Sequence, residues 1–390
     1  MKFILYNLIV AITLFFCKKS TSYNNNPVTP GISTINVSTD KAYYAPGETV
    51  SFQLNTLADA SFVRYRFLND ILREDALSST TWSWMPPATD FRAYSVEIFI
   101  KENGIDKTLA STAIDVSSDW KKFPRYGFLS EFGQVSNTTM DSVISSLNRY
   151  HINGIQFYDW QDKHHQPLAG TVTNPAAQWE DIANRDVLKS TVQGYIDRAH
   201  QRGMKAMFYN LCYGALYDAT ADGVQDQWYM YKDASHTQKD IFILPKPPFK
   251  SDIYFTDASN TAWQQYLANK NNDVYQVYNF DGFHVDQVGD RGTVYNYDGN
   301  FLNIASTFQP FLSAMKSAHA TKALLMNAVN QFGQQNSIAT SPVDFAYTEV
   351  WSGNEGYKDL ATIIQNNSSW SSGKNSVLAA YLNYNKANNP

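Results

Sequence analysis

The chain has 390 residues, of which 17% are Asp, Glu, Lys or Arg and 15% are Phe, Trp or Tyr. Its formal charge is −5, from 31 basic and 36 acidic residues, and it has no basic run able to track a phosphate backbone, which excludes nucleic acid as a partner. Two cysteines, Cys17 and Cys212, exclude a disulfide framework and any zinc site built from paired cysteines. What remains is a weakly charged, ring-rich chain suited to an uncharged, ring-shaped ligand such as a sugar.

Lys2 precedes a mostly apolar run, Phe3 to Phe16, broken by Asn7 and Thr13. It is too short for a membrane helix of about 20 residues and matches the core of an export signal. Cys17-Lys18-Lys19-Ser20 follows, then a polar stretch to Pro30. This is similar to a bacterial lipoprotein signal, with residues 1–17 as signal, Cys17 as the lipidated residue and residues 18–31 as a tether. Phe16 departs from the small residue usual before the cysteine, so an ordinary secretory signal is the alternative. Either way the chain is expected to be exported. It would be secreted, or attached to the bacterial outer membrane, cell surface or periplasm through a lipid alone.

Residues 32–118 have period two. Val50, Phe52 and Leu54 alternate after the Pro46-Gly47 turn signal, as do Val63, Tyr65 and Phe67, and then Tyr94, Val96, Ile98 and Ile100. Short alternating strands without helices predict an immunoglobulin-like β-sandwich. Trp82 and Trp84 read as core or domain-interface residues, with a sugar platform as the alternative.

From Trp120 onward strands and helices alternate. Strands are expected at Arg125 to Phe132, Gly154 to Asp159, Lys205 to Asn210, Gly282 to Asp286, Ala323 to Asn327, Asp344 to Glu349 and Val377 to Asn383. Helical spacing marks Met140 to Tyr150, Asp186 to Gln201 and Ala262 to Tyr278. No Gly-x-Gly-x-x-Gly follows the first strand, so residues 119–390 are expected to form a (β/α)8 TIM-type barrel rather than a dinucleotide fold. With Asp252–Asp257 left aside as an insertion, seven barrel strands are counted. On that count the barrel is incomplete at its C-terminus; counting Ile253–Phe255 restores eight.

A barrel places function at the C-terminal ends of its strands. The polar residues there are Glu131, Asp159, Asn210, Asp286, Asn327, Glu349 and Asn383, which suggests a polar pocket floor. In Phe283-His284-Val285-Asp286, His284 and Asp286 share a face, with Asp286 at the strand tip. Phe345 to Trp351 repeats the plan with Glu349. Two carboxyl groups on different strands are what glycosidic hydrolysis requires, one to donate a proton and one to attack or to activate water. Taken from spacing alone, Asp286 as a helix cap and Glu349 as a surface residue stand equally open.

Three segments then carry a resemblance: Phe123-Pro124-Arg125-Tyr126-Gly127; His151 to Trp160 with His164-His165-x-Pro167-Leu168; and Asp281 to Gln287 with Gly289. They resemble glycoside hydrolase family 66, the family of endo-dextranases and cycloisomaltooligosaccharide glucanotransferases acting on α-1,6-linked glucan. The resemblance implies a retaining mechanism with Asp286 as nucleophile and Glu349 as acid/base, its pKa raised by the Asp286 charge. It also implies a role in activity or sugar binding for Asp159. Tyr158, Trp160, Tyr209 and Trp351 are candidates to stack on glucose, and His164, His165, Asn210, His284, Gln287, Asn327 and Asn383 to bind hydroxyls, with a core or capping role for each standing equally open. The expected partners are dextran and isomaltooligosaccharides, bound by a monomer without cofactor or metal, since the adjacent His164 and His165 point apart and lack a His-x3-His companion. The spacing leaves no room for the large insertion of cyclising members, which favours endo-hydrolysis of dextran. Cyclising transglycosylation and a non-catalytic surface glycan-binding lipoprotein are the alternatives.

Overall fold

A computed structural model describes residues 35–351, 353–354 and 356–380. Cys17, the expected signal and tether, and Asn383 lie outside the described residues. The first part consists of two antiparallel sheets. Strands β1 (Val37–Thr39), β2 (Val50–Leu54) and β5 (Thr81–Trp84) form one; β4 (Asp70–Ala76), β3 (Phe62–Phe67), β6 (Arg92–Glu102) and β7 (Ile105–Val116) form the other, in that order. Val50, Phe52 and Leu54 are buried while Ser51 and Gln53 are exposed, which is the pleat's period two at work. Their partners across the core are Val63, Tyr65, Tyr94, Val96 and Ile98. Trp82 and Trp84 belong to this core: Trp82 stacks on Phe52 at 4.9 Å and donates its indole N–H to the Tyr65 hydroxyl, and Trp84 stacks on Tyr65 at 4.3 Å.

The second part is a run of parallel strands: β8 (Tyr126–Leu129), β9 (Gly154–Phe157), β10 (Lys205–Leu211), β11 (Gly282–Asp286) and β12 (Ala323–Met326), paired in chain order. β13 (Ala346–Val350) joins β12 through the bridge Asn327–Tyr347, and β14 (Ser376–Ala380) pairs with β13. Helices α1 (Asn137–Arg149), α2 (Lys189–Gln201), α3 (Thr261–Val277), α4 (Ile304–Ala318) and α5 (Tyr357–Trp370) connect most of these strands. Ser136 caps α1 by accepting the Thr139 N–H, and Asn260 caps α3 by accepting those of Ala262 and Trp263. Ile253–Phe255 instead pairs antiparallel with Gly214–Ala215 and Ile241–Phe242 in a small excursion sheet, so it does not supply an eighth parallel strand. Asp186–Leu188 corrects another expectation: it is a short strand paired with Gln178–Glu180, and α2 begins only at Lys189.

Alternation along these strands separates two cores. Ile155, Phe157, Ala206, Phe208, Phe283, Val285, Leu324 and Met326 pack against the helices. Residues of the opposite parity, including Tyr126, Met207, Leu325, Phe345 and Tyr347, form an inner cluster with Trp120. Tyr126 of the first parallel strand meets Tyr347 of the sixth at 5.9 Å and Phe345, just before it, at 5.8 Å, so the sheet curves strongly around this inner face. Gly282 belongs to the inner parity, and a Cβ there would lie 2.2 Å from the Ala323 carbonyl oxygen. The curvature therefore requires glycine at that point.

The two parts are fastened by polar contacts. Arg202 accepts the Ala42 N–H at 3.0 Å and donates to the Asp40 carbonyl at 3.1 Å, while Asn148 donates to the Thr39 carbonyl at 2.6 Å. Arg125 pairs with Asp115 at 2.9 Å.

Candidate active site

The inner parity delivers Asp286, Asn327 and Glu349 to one end of adjacent strands. Asp286 accepts the Tyr209 phenol at 2.9 Å on one oxygen and the Asn327 amide at 2.9 Å on the other, with the Gln287 backbone N–H as a third donor. The same Asn327 nitrogen donates to Glu349 Oε2 at 2.8 Å, and Asn327 Oδ1 accepts the Glu349 backbone N–H at 3.1 Å. The two hydrogens of an amide diverge by about 120°, so acceptors at these distances lie roughly 5 Å apart.

Burial first and the Glu349 charge second push the Asp286 carboxyl up to about 7, against the three donors that favour its charged form. The sequence predicts such a push on Glu349; here Asp286 carries one, with burial as its largest cause. Burial raises the Tyr209 phenol well above its ordinary value, so it remains a donor at neutral pH.

Asp159 is buried just beyond β9, in a left-handed conformation (φ 52°), and pairs with Arg185 at 3.1 Å. Burial chiefly pushes its carboxyl up to about 7; Arg185 opposes this, and the charges of Asp181 and Asp286 add to it. Tyr158 packs on Tyr209 at 4.6 Å. Phe128, 63% exposed, continues this aromatic wall edge-on to Tyr158 at 6.5 Å. Trp351, partly buried, follows Glu349 by two positions, and its backbone N–H donates to Asn330 Oδ1 at 2.9 Å.

Several expected sugar contacts are structural instead. Trp160 is fully buried, 5.1 Å from Phe280 and 5.4 Å from Tyr278, because the left-handed turn at Asp159 sends the next side chain into the helix-facing core. Asn210 has the parity opposite to Tyr209. It faces away from the inner surface, with its Oδ1 bonded to His164 Nδ1 at 2.8 Å and its Nδ2 donating to the His164 backbone carbonyl at 2.7 Å, which occupies the amide. His165 is fully buried: Nε2 donates to Asp222 at 2.9 Å while Nδ1 accepts the Leu216 N–H. His284 lies a layer below Asp286, buried against Tyr126 and Tyr347, and burial pushes it down to about 3, so it stays neutral. Gln287 uses its side chain on the Asn327 carbonyl and the Gly289 N–H. Asn327 holds the carboxyl pair rather than an open position. Glu131 is exposed two residues past β8, apart from the pocket floor.

His165, Asp218 and Asp222 lie close enough to share a metal ion. The Lys163 ammonium already sits between the two carboxylates, at 2.6 and 2.7 Å. The bare nitrogen of His165 faces Leu216 rather than the cluster, so the donor set fits an ion-pair brace and not a cation.

Two outcomes follow. Trp160→Ala is expected to destabilise the fold by about 3–5 kcal/mol in calorimetry, without altering which glycan is bound. The raised carboxyls give the second. With Asp159 and Asp286 near 7 folded and about 4 unfolded, the folded state binds more protons between those values, so stability falls as pH rises through that window. Asp159→Asn is therefore expected to narrow the difference in melting temperature between about pH 5 and pH 8.

A curved parallel α/β sheet whose strand tips carry two facing carboxyl groups beside an aromatic wall is the layout of a glycosidase-type protein. The chain belongs to a known family of that class: the sequence profile of Glycosyl hydrolase family 66 matches residues 39–390. It is 32% identical to a cycloisomaltooligosaccharide glucanotransferase of Niallia circulans over 377 residues, 89% of this chain and 38% of that protein. A dextranase of Streptococcus salivarius is 24% identical over 67% of this chain and 34% of its own length. A solved cycloisomaltooligosaccharide glucanotransferase of Paenibacillus sp., complexed with cycloisomaltoheptaose, superposes with a TM-score of 0.81 and 32% identity, over 89% of this chain and 53% of that one. The chain thus spans about two fifths of the length of the curated glucanotransferase it matches.

Proposed function

We propose that this chain carries the catalytic centre of a retaining enzyme that cleaves α-1,6-glucan, with Asp286 as nucleophile and Glu349 as acid/base. The observation that carries the reading is the single Asn327 amide joining both carboxyl groups. It supports a separation near the roughly 5–5.5 Å that retention requires, rather than the about 6.5–9.5 Å that admits a water for inversion. Asp286 attacks the anomeric carbon, the C1–O6 bond breaks, and the proton on Glu349 passes to the departing O6. Three donors on Asp286 favour the ionised form that the attack requires. In the second step Glu349 takes a proton from the acceptor while the acceptor's oxygen displaces Asp286. Tyr158, Tyr209, Phe128 and Trp351 supply apolar surface for glucose faces.

With water as acceptor the reaction is endo-hydrolysis of dextran. A second reading, cyclising transglycosylation, uses the distal hydroxyl of the same chain, and the 32% identity to glucanotransferases against 24% to a dextranase favours it. The proposal takes the parallel strands as part of a (β/α)8 TIM-type barrel and residues 32–118 as an immunoglobulin-like sandwich; strand order and the inner ring cluster support this. It also takes the chain as an exported monomer, lipid-anchored through Cys17 or secreted. Incubation of the chain with dextran, with Glu349→Gln as control, tests the reading. New reducing ends indicate hydrolysis, and cyclic isomaltooligosaccharides without reducing ends indicate cyclisation. Isomaltooligosaccharide binding with neither product would establish a glycan-binding protein and sink the enzymatic reading.

A further inference from the structure

The hairpin after β9 reaches back into the cleft with one side chain. Its turn is built by Asp181, which is buried and whose Oδ1 accepts the N–H groups of Ala183 and Arg185 at 2.8 and 3.0 Å. Asp181 Oδ2 takes Arg185 Nε at 2.5 Å, so the guanidinium is fixed from outside the cleft. That leaves Nη2 to meet Asp159 at 3.1 Å. The charges acting on Asp159 are Arg185 and Asp181 from this hairpin and Asp286 from β11, with the Tyr209 phenol of β10 nearby. Arg185 is the cation in that set, and it bonds two of the carboxyl groups, Asp159 and Asp181.

Resting on the function proposed above, we propose that Arg185 is a positioning residue that orients Asp159 and favours its charged form as an acceptor for glucan hydroxyls beside the nucleophile. An ionised carboxylate accepts hydrogen bonds from two neighbouring sugar hydroxyls, whereas the neutral acid presents one oxygen as a donor and changes the match. Without the guanidinium, burial and the two remaining carboxylates act on Asp159 in the same direction, toward the neutral acid. A lysine retains the charge but lacks the fork that serves Asp181 and Asp159 together.

The test uses the full chain carrying 13C-carboxyl aspartate, with the Asp159 signal assigned by its loss in Asp159→Asn. Arg185→Gln is expected to move the Asp159 midpoint upward from about 7 by about one pH unit, and Arg185→Lys by less. With dextran, Arg185→Gln is expected to raise KM about tenfold and change kcat by less than about threefold, and to have no further effect in Asp159→Asn. An unmoved midpoint, or KM effects of the two substitutions that multiply, would overturn the assignment. Should Arg185→Gln fold poorly because buried Asp181 loses its partner, Arg185→Lys carries the same comparison. A wild-type chain inactive on dextran would sink the proposed function, yet the carboxyl titration would still decide the role of Arg185.

Discussion

Asp286→Ala is expected to lower turnover of an α-1,6-glucan by on the order of 10⁴-fold or more while leaving isomaltooligosaccharide binding measurable. The covalent step needs the carboxylate itself, and among the described acidic groups Asp286 alone accepts from both Tyr209 and Asn327, which aim it. Asp286→Asn is the less clean variant, since its new NH2 would face one of those two donors. Glu349→Gln is expected to lose about 10²–10⁴-fold on dextran, but much less on a substrate whose leaving group departs without a proton. The two variants therefore separate by substrate: an activated leaving group rescues Glu349→Gln and leaves Asp286→Ala inactive. Intact-mass spectrometry with a slowly deglycosylating analogue should find a glycosyl adduct on the wild type and none on Asp286→Ala. If Asp286→Ala kept more than about one per cent of wild-type turnover, the nucleophile would have to be sought elsewhere.

Period two made most of this site legible in advance. Gly282, His284 and Asp286 share a face, as do Ala323, Leu325 and Asn327, and the structure keeps both sets on the inner surface. The failures have the same origin. Asn210 lies near its strand's end, but Tyr209 has the inner parity, so its neighbour must face outward. Trp160 adjoins Asp159 in sequence, but the left-handed backbone at Asp159 breaks that continuity in space. A first strand running to Phe132 would end at Glu131, but β8 stops at Leu129, and the inner-parity residue after Tyr126 is Phe128. Arg185 was hidden for a different reason: the apolar residues Val187 and Leu188 extend the helical spacing of α2 backward, yet they form a hairpin paired over eight to ten residues. Long-range partners such as Asp181 with Arg185, or Arg202 with the loop at Asp40, leave no periodic trace in the sequence.

Asn327→Ala is expected to cost about 10²–10³-fold in kcat near neutral pH, a large effect for a residue outside the chemistry. Asn327 makes three of the site's hydrogen bonds, one to Asp286 and two to Glu349, so it sets both the separation of the pair and the direction of Glu349. Its donor favours ionised Asp286. Removing that donor raises the carboxyl above its present value of about 7, and a nucleophile that must be ionised then works only at higher pH. The acidic limb of kcat/KM is thus expected to move upward in Asn327→Ala, so that part of the deficit is recovered by raising the pH. Asn327→Asp separates charge from geometry. It can keep the bond from the Glu349 backbone but adds a third carboxyl between the other two, and should move the limb further upward. If both variants lost activity equally at every pH, with the limb unmoved, Asn327 would be acting through packing alone. The bridge would then not be what orders the carboxyl pair.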